Sequence, residues 1–265
     1  MSDNWIDNVL KEQYQFVKVL KNSDKSQICV YRHKELGKRL VKRSIEGSGE
    51  VFMILRSLFH PNIANVYDAV RTKDGVIVLE EYIDGQTVAD YLQDSLYSPT
   101  GVKRIISALC DALDFLHKNK IIHKDIKPEN VMIDNSGNVK LIDFDAARVY
   151  KHYQSKDTKI IGTIGYAAPE KYGINQTDER TDIYALGVLM NVMLTGKPPE
   201  IKLYNGKLKK VIVKCTQTIP DNRYKNVKEL KKKFIKSTKT VLTAQDKNTA
   251  FDYNLIIGGI YFIYF

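Results

Sequence analysis

His123-Lys124-Asp125-Ile126-Lys127-Pro128-Glu129-Asn130 places an imidazole, two ammonium groups, two carboxylates and an amide within eight residues. Upstream, Val102, Ile105, Ile106, Leu109, Leu113 and Leu116 recur at the spacing of one helix face, with Ser98 and Thr100 ahead of them as caps. Downstream, residues 131–134 (VMID) and 139–144 (VKLIDF) flank Asn135-Ser136-Gly137-Asn138, which predicts a hairpin. That hairpin runs into Asp143-Phe144-Asp145, 18 residues after Asp125, and Ala168-Pro169-Glu170 follows 25 residues after Asp143.

On either side of this region the chain differs in character. Residues 16–20 (FVKVL), 28–33 (ICVYRH), 39–43 (RLVKR) and 76–83 (VIVLEEYI) are rich in β-branched and aromatic side chains and read as strands. Turn sequences separate them, and one helix over 50–58 interrupts the set before His60-Pro61-Asn62. Beyond the hairpin, an amphipathic helix is predicted over 182–194, stopped by Gly196 and Pro198, and another over 227–235. The pattern implies an α+β chain with a small β-rich lobe over 1–83, a larger helical lobe over 84–236 and a tail over 237–265. A hinge falls near residues 82–85, and a cleft between two lobes is a common ligand site.

The chain has 265 residues and a net charge of +10, but the charge is uneven. Residues 202–239 carry thirteen Lys or Arg against two acids, a net of +11, so the remainder sums to −1. Three cysteines, Cys29, Cys110 and Cys215, stand far apart with no CxxC pair, which argues against a disulfide framework and a thiolate zinc site. The polar N-terminus has no apolar signal-peptide core, so a cytoplasmic protein is expected.

The three motifs resemble those of the protein kinase family in form and order, and the resemblance runs from about residue 14 to 236. The runs at 162–170 (GTIGYAAPE) and 177–187 (TDERTDIYALG) look most like bacterial kinases of eukaryotic type. The resemblance implies a two-lobed kinase fold and ATP-dependent phosphoryl transfer to Ser/Thr hydroxyls of protein substrates, with Mg²⁺ as the metal. By the same resemblance Asp125 orients the substrate hydroxyl and Lys127 supports the γ-phosphate, while Asn130 and Asp143 hold metal. Lys42 grips the α- and β-phosphates and pairs with Glu50. Val30, Leu40 and Met132 sandwich the adenine, Glu81 and Ile83 offer it hinge backbone groups, and Glu80 stands at the gatekeeper position. Asp182 braces the catalytic loop, and Arg223 is the expected partner of Glu170. A nucleotide-binding scaffold without turnover, or a small-molecule phosphotransferase, would share this fold.

Four positions depart from the family pattern. The phosphate loop, KNSDKSQIC over 21–29, has no glycine. Counting back from His60 puts Val51 where the helix glutamate belongs and Glu50 one residue early. Lys124 replaces an arginine, and Asp145 replaces a glycine at a position where Asp tolerates left-handed backbone. Ser155 and Thr158 are autophosphorylation candidates, and Thr163 is a substrate-loop contact. The apolar run over 255–265 would reach about 16 Å as a helix, half of a hydrocarbon core of about 30 Å. Beside the basic segment it suggests contact with an anionic membrane surface rather than a span. Nucleic acid is not expected as a partner, because the lysines lack interleaved aromatic residues.

Overall fold

The β-branched segments of the N-terminal part pair into one antiparallel sheet. The computed structural model describes residues 4–23, 26–150, 166, 168–172 and 177–237. Helix α1 (Asn4–Gln13) leads into β1 (Tyr14–Ser23), β2 (Ser26–His33) and β3 (Arg39–Glu46), then α2 (Glu50–Leu55), β4 (Val66–Arg71) and β5 (Gly75–Glu81). The strands lie in the order β1-β2-β3-β5-β4. Val41 sits opposite Val30 on one side and Glu80 on the other, whereas Lys42 sits opposite Cys29 and Leu79. Because side chains alternate along a strand, Val30, Val41, Arg43 and Glu80 share one face of the sheet. Leu40 and Lys42 belong to the other face, which α1 covers by packing Ile6 and Leu10 around Leu40, Tyr31, Ile77 and Leu79. Neither α1, which buries Ile6 and Leu10, nor β4 stands out in the sequence pattern.

Residues 82–84 join this sheet to β6 (Gly85–Thr87), after which helices dominate: α3 (Val88–Asp94) and α4 (Pro99–Lys118). Thr87 and Asp90 form a reciprocal capping box on α3, and Ser98 caps α4, whose first residue is Pro99. The apolar face of α4 is buried as its periodicity predicts, from Val102 to Leu116. Then come β7 (Ile121–Ile122), the hairpin of β8 (Val131–Asp134) and β9 (Val139–Leu141), and β10 (Arg148–Val149), which pairs with β7. Helices α5 (Glu179–Thr195), α6 (Lys209–Cys215) and α7 (Val227–Ser237) complete the described chain. The sheet-rich part and the helical part form the two lobes of the expected α+β architecture.

Helix α5 is not amphipathic. Every residue from Thr181 to Leu194 is buried, so this helix is the axis of the helical lobe rather than one of its walls. Asp178 caps its first turn, and Gly196, at φ 71°, ends it. The helix predicted over 50–58 is shorter: after Leu55 the chain tightens into i→i+3 bonds, Ser57 to Ile54 and Leu58 to Leu55, ahead of His60-Pro61. The lysines of α7 are partly answered by α4, since Lys231 lies 2.5 Å from Asp111 and Lys228 lies 3.7 Å from Asp114. No helix among the described residues is long and apolar enough to cross a membrane. The expectation of a membrane contact rests on residues 255–265, outside the described residues, as are Ser155, Thr158 and Thr163.

Helix α6 approaches α5 at Gly187, where an added Cβ would stand 2.5 Å from the Cys215 Cβ and 2.9 Å from the Thr216 methyl. Gly187→Ala is therefore expected to lower the unfolding free energy by about 1–3 kcal/mol through overpacking, read by urea denaturation.

Candidate functional site

The loop between β7 and β8 is held from below by one carboxylate. Asp182, 0% exposed, accepts the backbone N–H of His123 at 3.0 Å and of Lys124 at 2.8 Å, and it lies 2.8 Å from His117 Nε2. Burial alone would raise its pKa, but His117 and the backbone donors outweigh that, and the carboxyl sits below its ordinary value. The His123 ring is buried, which lowers its pKa, and its Nδ1 accepts the Asp125 N–H at 3.4 Å. It stacks edge-on against Phe144 at 5.0 Å, and Phe144 packs on Phe52 of α2 at 6.4 Å. A continuous column thus runs from α2 through Phe144 and His123 to α5, so His123 is a structural brace.

On this support, Asp125 is clasped from two sides. Lys127 Nζ is 2.7 Å from Asp125 Oδ2, and Asn130 Nδ2 donates to the same oxygen at 2.9 Å and to the Asp125 carbonyl at 2.8 Å. The carboxylate keeps 14% side-chain exposure, enough to meet a solute from the cleft. Asp143 follows β9 with a left-handed backbone, φ 63°. Left-handed backbone had been expected at Asp145. Among the described residues other than glycine, positive φ falls instead at Lys120, Lys124 and Asp143. The Asp145 side chain turns toward Arg43.

Arg43 is the cation that meets these acids. Its Nε donates to Glu80 at 2.8 Å, and its Nη1 reaches Asp143 at 3.0 Å and Asp145 at 3.1 Å. Burial disfavours the charged guanidinium, but the three carboxylates reverse this and raise its pKa. Burial also pushes the Asp143 carboxyl up, yet Arg43 and the Asp145 N–H hold it below its ordinary value, while Asp145 is raised by its own burial and then by the Asp143 charge beside it, which Arg43 only partly offsets.

Lys42 and Leu40 do not reach the cleft. Lys42 points to the other face of β3 and lies 2.6 Å from Asp7 of α1, while Leu40 packs beneath α1. The cause is strand parity: with Val30 opposite Val41, the cleft face of β3 carries Val41 and Arg43. Nor is Glu50 the carboxylate beside the cleft cation. It is exposed at the start of α2 while its neighbour Val51 is buried, and Glu80 pairs with Arg43 instead. Val30 is fully buried on the cleft face. Met132 pairs with Thr87 and Lys140 in the β6-β8-β9 sheet. Glu81 ends β5, with its carboxylate 3.0 Å from Lys140 Nζ, and Ile83 is buried in the connection to β6. Arg43 and His117 have no role in the sequence reading, and Asp145 has only a backbone one there rather than its pairing with Arg43.

At the far end, Glu170 and Arg223 form a buried bidentate pair at 2.6 and 2.7 Å, as the sequence led one to expect. Thr181 adds a 3.0 Å bond to the Glu170 carboxylate.

A family profile described as "Protein kinase domain" matches residues 14–249. Among curated proteins, the chain is 28% identical over 268 residues to the serine/threonine-protein kinase PknB of Mycobacterium leprae, covering 86% of this chain and 43% of that protein. It is 36% identical over 174 residues to the cAMP-dependent protein kinase catalytic subunit of Dictyostelium discoideum (64% of this chain, 26% of that protein). It is 34% identical over 145 residues to the serine/threonine-protein kinase PrkC of Bacillus subtilis (54% of this chain, 22% of that protein). The chain thus spans less than half the length of these relatives.

Removing one partner of the Glu170–Arg223 pair strands a buried charge, so Arg223→Ala should cost about 3–5 kcal/mol of stability, measured by denaturant unfolding. Asp182 should shape the acid limb. Its contribution is full above the unfolded carboxyl value of about 4 and is lost as pH falls through the lower folded value. Asp182→Asn should therefore lower stability at neutral pH and flatten the stability–pH curve on the acid side.

Proposed function

Because the chain belongs to the protein kinase family, we propose that it transfers the γ-phosphoryl group of ATP to serine or threonine hydroxyls of protein substrates. The observation that carries this reading is the clasped Asp125. Its Oδ2 is shared by the Lys127 ammonium and the Asn130 amide, at 2.7 and 2.9 Å. A carboxylate so held can accept or orient a hydroxyl proton, and the neighbouring ammonium is placed to stabilise charge on the phosphoryl group in flight. Lys127, two residues after Asp125, matches the Ser/Thr pattern of the family.

Magnesium fits the same residues. The Asn130 amide nitrogen is engaged by Asp125, so its oxygen is the atom it can offer a cation, and Asp143 is kept ionised. Both are hard oxygen donors. No group of three or more His, Cys, Asp or Glu able to hold a metal occurs among the described residues. The remaining ligands would then be phosphate oxygens and water, and the bound ion would neutralise phosphate charge.

Incubation with MgATP followed by phosphosite mass spectrometry tests the reading. Wild type should phosphorylate a generic protein substrate and itself, with Thr158 or Ser155 modified, and Asp125→Asn should be slower by about 100-fold or more. ATP binding without transfer to either would count against turnover and favour a nucleotide-binding scaffold.

A further inference from the structure

β3 offers two adjacent cations to two different faces of one sheet, and only one of them meets the acids of the cleft. Lys42 pairs with Asp7 under α1. Arg43, 5% exposed, lies between Glu80 of β5 and the Asp143–Asp145 pair that follows β9. We propose that Arg43 is the side chain that grips the nucleotide's α- and β-phosphates, and that Glu80 is the positioning residue that aims it. The inference rests on reading the chain as an ATP-dependent kinase domain.

Three observations support it. Lys42 could reach the cleft only by a one-residue slip of β3, which would expose Leu40 and carry every side chain of the strand to the opposite face. The guanidinium has five donors in a fixed fork. Nε is used by Glu80 and Nη1 by the two aspartates, while Nη2 makes no hydrogen bond among the described residues and remains for a phosphate oxygen. Glu80 belongs to the same sheet, opposite Val41, and is itself 5% exposed. The carboxylate that orients the cation therefore comes from a hydrogen-bonded neighbour strand, not from a helix. What α2 supplies to the site is Phe52, which packs on Phe144 and lies beneath the Arg43 guanidinium, 6.0 Å from ring centroid to Cζ.

The test is titration of the full chain with a fluorescent ADP analogue and Mg²⁺, with thermal melts alongside and steady-state kinetics where transfer is measurable. Arg43→Met should weaken nucleotide binding by about 10- to 100-fold, the worth of a charge-assisted hydrogen bond, and Arg43→Lys by less. Lys42→Met and Glu50→Gln should bind as wild type does. Glu80→Gln should raise the KM for ATP more than it lowers kcat, with the KM for the protein substrate unchanged, a split that general loosening of the fold would not produce.

Unchanged or tighter binding in a folded Arg43→Met variant, or loss of binding in Lys42→Met, overturns the assignment of Arg43. An effect of Glu50→Gln equal to that of Glu80→Gln overturns the assignment of Glu80. If both Arg43 variants fail to fold, the ATP-selective KM shift in Glu80→Gln, present or absent, decides. Wild-type protein that binds nucleotide through Arg43 yet transfers no phosphate would refute the kinase reading and leave this one standing. Transfer that survives Arg43→Met would do the reverse.

Discussion

A single buried carboxylate, Asp182, organises the molecule. It is anchored in α5, the helix that the rest of the helical lobe surrounds, and it draws in two consecutive backbone N–H groups of the β7–β8 loop together with His117. A charge at this depth is tolerable only because every side of it is answered by a donor. With the loop fixed there, His123 is oriented for Phe144, Phe144 for Phe52, and Asp125 for Lys127 and Asn130. The geometry of the site is thus inherited from the core of the larger lobe.

The smaller lobe is organised by the two faces of its sheet. One face is covered by α1, which packs Ile6 and Leu10 around Leu40 and sets Asp7 against Lys42. The other looks into the cleft and carries the buried Arg43–Glu80 pair between valines. The lobes are tied together at β9, where Leu141 exchanges backbone bonds with Asn62 and Ala64 at 2.9 and 3.0 Å. Arg43 makes a second, ionic tie through Asp143 and Asp145.

Much of this was legible in the sequence because the physics involved is local. The i, i+3, i+4 stripe of α4, the Asn135–Asn138 turn and the catalytic string all declare themselves within a few residues. Long-range partners were legible only where a motif named them, as with Glu170 and Arg223. The facing of β3 was not legible, and the reason is specific. Leu40-Val41 are both apolar and Lys42-Arg43 are both cationic, so the period-two pattern of this strand reads equally well in either register. Only the pairing with Val30 and Glu80 across the sheet breaks the tie. The all-round burial of α5 escaped notice for a similar reason. Its polar residues, Thr181, Asp182 and Asn191, suggest a wet face, but each is buried. Asp182 and Asn191 are spent on backbone groups and Thr181 on the Glu170 carboxylate.

The left-handed residues of the site have a further consequence. Lys124 and Asp143 both hold a left-handed backbone, which costs a lysine about 1–2 kcal/mol and an aspartate less, and neither is a glycine that would adopt it freely. Their anchors, Asp182 for the first and Arg43 for the second, therefore act as latches on a tensioned backbone as well as electrostatic partners. A latch of this kind works in both directions. While it holds, the side chains of Lys124 and Asp143 keep their places relative to Asp125. Without it the same residues would be free to leave the left-handed region, so the contacts that set the charges of the site also set the backbone they stand on.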